Sequence, residues 1–569
     1  MFLRLFRPYD APLVRGVFVI CLSLLLVACS RQPPVAAVAS AHPLATEAGL
    51  AILERGGNAF DAAVAVTAML GVVEPYGSGL GGGGFYLLHR QRDQFQVMLD
   101  ARETAPAAAH RDMYLDEQGN VIDGASINGP LAAAIPGVPA ALAHLARDYG
   151  RLPLKETLAP AMRVAREGFS VDERYRRYLN FRLEVMHRYP AAAAVFMAFD
   201  SVPAPGSVIR QPDLADTLER ISVAGHAGFY QGELAQKLVQ GVQAAGGSWT
   251  LQDLADYRVI ERQPIVMEYR GAKIISAAPP SSGGVALATM FNILAGYDLA
   301  QLDGVTRKHV LVEAMRRAYR DRAEYLGDPD QVQIPLARLL SRSHADQLRS
   351  SISLEDATPS HSLPPAAGSQ GQGNNTTHFS ILDHQGNRVA ATLSLNFPFG
   401  SCFMAPGTGV ILNDEMDDFS AKPGVPNVYG LVGAKANAIA PGKRPLSSMS
   451  PTFVETGDKI AILGTPGGSR IITMVLHGAL GVLAGDNAEQ IVSAPRFHHQ
   501  YLPDRISREA GAISEDEETE LALMGHILEP QPDDTRTYGN MQLLIWDMSN
   551  NQVQAASDPR GSGTARTSR

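Results

Sequence analysis

The sequence predicts an α+β protein, on two observations. Residues 376–382 and 388–396 alternate in polarity on either side of Asp383, His384, Gln385, Gly386 and Asn387, the pattern of a β-hairpin with a loop of about five residues. Helical patterns occupy 46–55, 58–70 and 310–326, with capping or stop residues at their ends. The 569 residues are 45% hydrophobic and 19% charged, an ordinary globular composition with ample length for a large core. Formal net charge is -9 and no basic block occurs, which argues against a nucleic-acid partner.

Taken in order, the chain opens with Arg4, Arg7 and Arg15 before apolar runs at 17–22 and 24–28. That is a secretory signal, too short for a comfortable membrane span. It ends in Leu26-Val27-Ala28-Cys29, which resembles the lipobox of bacterial lipoproteins. The resemblance implies a signal peptide at 1–28, acylation of Cys29 and a lipid anchor in a bacterial envelope. Ser30 stands where an aspartate would retain many lipoproteins in the inner membrane, so the expected location is the outer membrane, facing the periplasm. Residues 29–41 follow as an Ala-, Pro- and Ser-rich tether. The other cysteines are Cys21, inside the signal, and Cys402, so neither an internal disulfide nor a cysteine metal site is expected.

Folded character begins near His42. The first helix closes at Gly56-Gly57, and Asn58 caps the second, with Asp61 in its first turn. The pattern at 310–326 stops at Gly327 and Pro329. Residues 355–375 then contain almost no large apolar side chain and read as a flexible, cleavable segment. The hairpin starts directly after it. Pairing symmetric about Gln385 sets Leu382 opposite Arg388 and Thr376 opposite Ser394, on one face.

Two patterns are decoys. Gly77-Ser78-Gly79-Leu80-Gly81-Gly82 fits GxGxxG, but a helix precedes it and a strand-like stretch follows, the reverse of a dinucleotide site. His498-His499 are adjacent without a flanking ligand pattern, so a structural role is preferred to a metal.

A threonine hydroxyl needs a base to act as a nucleophile. A chain-terminal threonine carries one, since its α-amine has a pKa of about 7.7–8.0 and is partly neutral near pH 7. A cut before Thr376 would create that amine.

The stretches TTHFS (376–380), SLN (394–396), NDEMDDFSAKPGVPNVYGLVG (413–433), KRPLSSMSPT (443–452), LGTPGGSRI (463–471) and APRFHHQ (494–500) closely resemble the γ-glutamyltransferases. So do GGNAFDAAVA (56–65), DARETAP (100–106), PPSSGG (279–284) and EYLGDPD (324–330). The resemblance runs from about His42 almost to the end. It implies the four-layer αββα sandwich of the N-terminal-nucleophile hydrolases. It also implies a precursor that cuts itself between Asn375 and Thr376 into fragments 42–375 and 376–569, which stay associated as one catalytic domain. Thr376 would be the nucleophile, oriented by Ser394, with Gly467 and Gly468 as the oxyanion hole. Arg102 with Ser447 and Ser448 would bind the substrate α-carboxylate, and Glu415, Asp418 and Asn396 its ammonium. The segment carrying Tyr429 would be a lid. Some members carry threonine at the position of Ser394; the hydroxyl is retained. Substrates would be glutathione and other γ-glutamyl amides, with water or an amino-acid or dipeptide amine as acceptor and no metal or organic cofactor. Two alternatives stay open: an acylase for glutaryl, β-lactam or poly-γ-glutamate amides, and a non-catalytic peptide-binding lipoprotein.

Overall fold

A computed structural model describes residues 32–363, 376–422, 424–427, 429–529 and 538–568. The signal at 1–28, Cys29 and Asn375 lie outside the described residues.

Two antiparallel sheets form the frame. The first contains β1 (Ala37–Ser40), β2 (Gly83–Arg90), β3 (Phe95–Ala101), β4 (Ile260–Arg262), β7 (Thr377–Leu382), β8 (Arg388–Ser394) and β13 (Thr564–Thr567), in the order β13-β1-β7-β8-β2-β3-β4. The second contains β5 (Ile265–Tyr269), β6 (Ala272–Ser276), β9 (Thr452–Glu455), β10 (Lys459–Gly464), β11 (Gln542–Asp547) and β12 (Gln552–Ser557), in the order β12-β11-β10-β9-β6-β5. Residue alternation assigns each face. Phe85, Leu87 and Met98 join Phe453, Ile462 and Leu544 in the core between the sheets. Tyr86, Leu88, Phe379 and Ile381 point the other way, to helices α1 (Pro43–Glu54) and α2 (Ala59–Val73). Helices α3 (Gly283–Leu294), α4 (Gly304–Tyr325) and α5 (Ile471–Ala484) share the second sheet's core. The layers run helix, sheet, sheet, helix.

Asn58 caps α2 through a reciprocal capping box with Asp61. The hairpin pairs Leu382 with Arg388 and Leu393 with Thr377, so the expected register holds. Helix α4 starts at Gly304, six positions before the amphipathic stretch, because Asp303 caps it by accepting from the Thr306 N–H.

Two expectations are corrected. Residues 37–40 are not tether but strand β1, paired on both sides with β7 and β13. Their small apolar side chains suit a linker by composition, yet Ala37, Val38 and Ala39 are wholly buried because small residues let layers approach closely. The stretch 355–363 is docked rather than flexible. The Ala357 N–H donates to Met524 O (2.7 Å), the Thr358 N–H to Glu313 (3.1 Å) and the Ser360 N–H to Asp504 (2.6 Å). Backbone hydrogen bonds and charges hold it, and Leu363 packs against the second sheet's core.

Candidate active site

Thr376 stands at the head of β7, on the central strands of the first sheet. Strand alternation turns His378 and Ser380 toward the second sheet, and Ser380 Oγ donates to Gln542 O at 3.0 Å. Thr376 shares that face, and its Oγ1 lies 3.5 Å from Ser394 Oγ on β8. The Asn396 N–H donates to Ser394 Oγ at 2.7 Å, which fixes that oxygen. Both residues are 4% exposed. Next to them His378 accepts or donates to Thr392 Oγ1 at 2.8 Å, and burial depresses its pKa to about 3, so the ring is neutral.

Arg102 directly follows β3 and is fully buried. Its Nε donates to Pro445 O (3.0 Å), and its terminal nitrogens pair with Glu103 (3.3 Å), Glu415 and Asp418. Burial opposes its charge, but these carboxylates outweigh it and raise the guanidinium's pKa. Its carbonyl accepts from Tyr257 Oη at 2.8 Å and from Arg444, which anchors the backbone. Burial drives Glu415 and Glu103 upward against the pull of Arg102. Each keeps one carboxylate oxygen, Oε1, buried with no hydrogen-bond partner among the described residues.

Ser447 and Ser448 sit in the segment before β9, where Ser447 forms a parallel bridge with Ser281. The Ser447 N–H donates to Pro280 O (2.9 Å), and the Ser282 N–H donates to Ser447 O (2.8 Å). The PPSSGG stretch therefore braces the serine pair. Gly467 and Gly468 link β10 to α5 through one turn of 3-10 helix, with φ of 143° and 56°. Both angles lie where side chains are disfavoured, so glycine is required. Asn396 is also left-handed (φ 73°); its carbonyl accepts from Tyr429 Oη at 2.5 Å and its Nδ2 donates to Asp414 O at 3.1 Å. Thr376, Ser394, Arg102, Asn396, Glu415, Asp418, Tyr429, Ser447, Ser448 and Gly468 all line one small cavity, completed by Leu431, Met449 and Ile471. Gly467 adjoins it in sequence.

His498 and His499 lie outside this cavity. His498 bonds to Thr473 (2.7 Å) and Gln500 (2.8 Å), and burial lowers its pKa well below 6.5. Glu103, Arg322, Arg444 and the Ser282 brace belong to the surroundings of the site but carry no signal in the sequence read by itself. The available clue was their placement inside or beside the quoted stretches.

A small cavity between stacked sheets, a strand-leading hydroxyl and a glycine turn opposite it define an N-terminal-nucleophile hydrolase fold. The crystal structure of cephalosporin acylase from Bacillus halodurans matches with a TM-score of 0.82 at 27% identity, over 99% of both chains. The structure of Helicobacter pylori gamma-glutamyltranspeptidase matches at 39% identity and TM-score 0.56, over 57% of this chain and 94% of its own. In sequence, a glutathione hydrolase proenzyme of Pseudomonas sp. (strain A14) is 42% identical over 95% of this chain and 96% of its own length. One from Escherichia coli (strain K12) is 43% identical over 83% and 82%. The gamma-glutamyltranspeptidase family profile matches residues 45–568, and the chain belongs to that family.

Proposed function

We propose that this protein is a γ-glutamyltransferase and glutathione hydrolase that matures by cutting its own chain between Asn375 and Thr376. The observation that carries this reading is the juxtaposition, in one cavity, of the Thr376–Ser394 hydroxyl pair with a charge set complementary to an amino-acid zwitterion. Arg102 and the serine pair suit a carboxylate. Glu415, Asp418 and Asn396 suit an ammonium, and the unpartnered Oε1 of buried Glu415 calls for a donor. Arg102 pairs with Glu415 and Asp418; a zwitterion brings one charge for each side.

In maturation, Thr376 Oγ attacks the Asn375 carbonyl carbon. The C–N bond breaks, the nitrogen takes a proton to become the Thr376 α-amine, and water hydrolyses the resulting ester to leave the Asn375 carboxylate. The fragments stay associated, since β7 and β8 are interior strands of a sheet whose β1–β4 come from the other fragment. In turnover, the free α-amine takes the Thr376 hydroxyl proton as Oγ attacks the γ-carbonyl. The Gly467 and Gly468 N–H groups stabilise the oxyanion, the leaving amine departs protonated, and water or an amino-acid or dipeptide amine resolves the γ-glutamyl ester. Ser394 orients the nucleophile, and Tyr429, anchored on Asn396, caps the cavity as part of a lid. Export and lipidation at Cys29 place the enzyme in the cell envelope; among the described residues no helix is long and apolar enough to cross a membrane.

The full-length match to a cephalosporin acylase favours a second reading, hydrolysis of glutaryl amides. Glu415 and Asp418 speak against it, because a glutaryl group has no ammonium for them to bind. Rates on γ-glutamyl-p-nitroanilide and glutaryl-p-nitroanilide decide. We expect a strong γ-glutamyl preference, and a glutaryl preference would sink the proposal.

A further inference from the structure

Arg322 projects from α4 and is 5% exposed. Its Nε donates to Ser282 Oγ at 3.0 Å, and one terminal nitrogen reaches Ser448 Oγ at 3.4 Å. Arg102, Arg316, Arg317, Arg388, Arg444 and Arg496 are similarly buried, and each holds a carboxylate. Among the described residues none pairs with Arg322. Asp418 is close enough to favour its charge, but Asp418 is already bound to Arg102. Burial lowers the Arg322 pKa, and Arg102 adds repulsion. Among the described residues two hydroxyls hold the side chain of this buried cation, which calls for an anion, and one of them, Ser448, lines the cavity.

We propose that Arg322 is a positioning residue of the α-carboxylate subsite, a second cation that acts on the ligand through Ser448. The inference rests on the γ-glutamyl reading. Donation from Arg322 occupies a lone pair of Ser448 Oγ, so the Ser448 proton is left to point at the ligand carboxylate. Ser282 extends the same brace, since its Oγ accepts from Arg322 and donates to Ser447 O at 2.7 Å. One guanidinium thereby sets both serines. Arg102 is already bound to three acids, whereas Arg322 pairs with none of them, so Arg322 adds a positive charge that favours acyl groups bearing an α-carboxylate.

The test is steady-state kinetics of Arg322→Gln and Arg322→Lys with γ-glutamyl-p-nitroanilide, together with the inhibition constant of L-glutamate. For Arg322→Gln, KM and the inhibition constant rise in parallel by roughly tenfold to a hundredfold, while kcat changes by less than about threefold. Arg322→Lys keeps the charge but not the two-point geometry, and both constants rise by about threefold or more. If the Gln variant fails to fold and cut itself, the Lys variant carries the test alone on the same criterion. A purely structural residue would lower kcat or the yield of cut enzyme without this parallel shift. Constants within about twofold of wild type, or a fall in kcat at unchanged KM, overturn the inference. Wild-type enzyme inactive on the anilide would overturn the γ-glutamyl reading as well; an active wild type with unshifted variants overturns the role of Arg322 alone.

Discussion

Thr376 and Ser394 stand 3.5 Å apart because β7 and β8 keep a symmetric register about their turn. A hydroxyl at 394 is useful only if its own oxygen is fixed, and the Asn396 N–H does this. Thr376→Ala should therefore yield a single uncut, inactive chain on a denaturing gel; a cut and active variant would mean another residue attacks. At Gly467, with φ of 143°, alanine is strained and would turn the N–H away. Gly467→Ala should lower kcat by about 10²–10³, the usual effect of losing one oxyanion donor, with a smaller change in KM. Much of this site was legible in the sequence. Arg102, Asp418, Ser447 and Gly468 fall in long stretches that fix their order, and the hairpin pattern alone paired Thr376 with Ser394. Arg322 and Glu103 were not legible, because their meaning lies in missing partners, and pairing is a property of tertiary contact.

Elements rather than residues decide how rigidly the nucleophile is held. Strand β7 lies against β10 through the His378 ring, which packs directly on Gly464. A Cβ at 464 would collide with that ring, and neither strand can retreat from an interior position. Gly464→Ala should destabilise the protein by about 1–3 kcal/mol and slow its self-cleavage, read by thermal unfolding and by the fraction of uncut chain. Unaltered melting and cutting would show that the inter-sheet contact is slack. The hairpin, α1 and α2 were readable because alternation, capping and glycine stops are local signals. Strand β1 was not: Ala-Val-Ala-Ser carries no period, and only its pairing with β7 and β13 makes it a strand.

At the scale of the whole molecule, buried charge clusters tie the parts of the chain on either side of the cut. Glu313 pairs with Arg316 and Arg317 and accepts from the Thr358 N–H, while Arg316 also meets Asp504. Burial alone would raise the Glu313 pKa, but the two arginines overcome it and hold it at about 2. A carboxyl depressed in the folded state stabilises above its unfolded pKa, near 4.5, and that contribution is lost as pH falls toward 2. Glu313→Gln should lower the melting temperature at pH 7 and flatten its fall below pH 4.5; an unchanged acid profile would rule the cluster out. Activity has its own pH dependence. Burial raises Glu415, so binding an ammonium expels a proton, and the Thr376 amine must be neutral to act as base. Both make kcat/KM rise with pH through the neutral range, and a profile that falls there would contradict this assignment.

The central claim is that Thr376 becomes chain-terminal and attacks. N-terminal sequencing of the smaller fragment tests it most directly. The predicted sequence begins Thr-Thr-His-Phe-Ser, from Thr376; a start at any other residue, or a chain that stays whole while active, would contradict it.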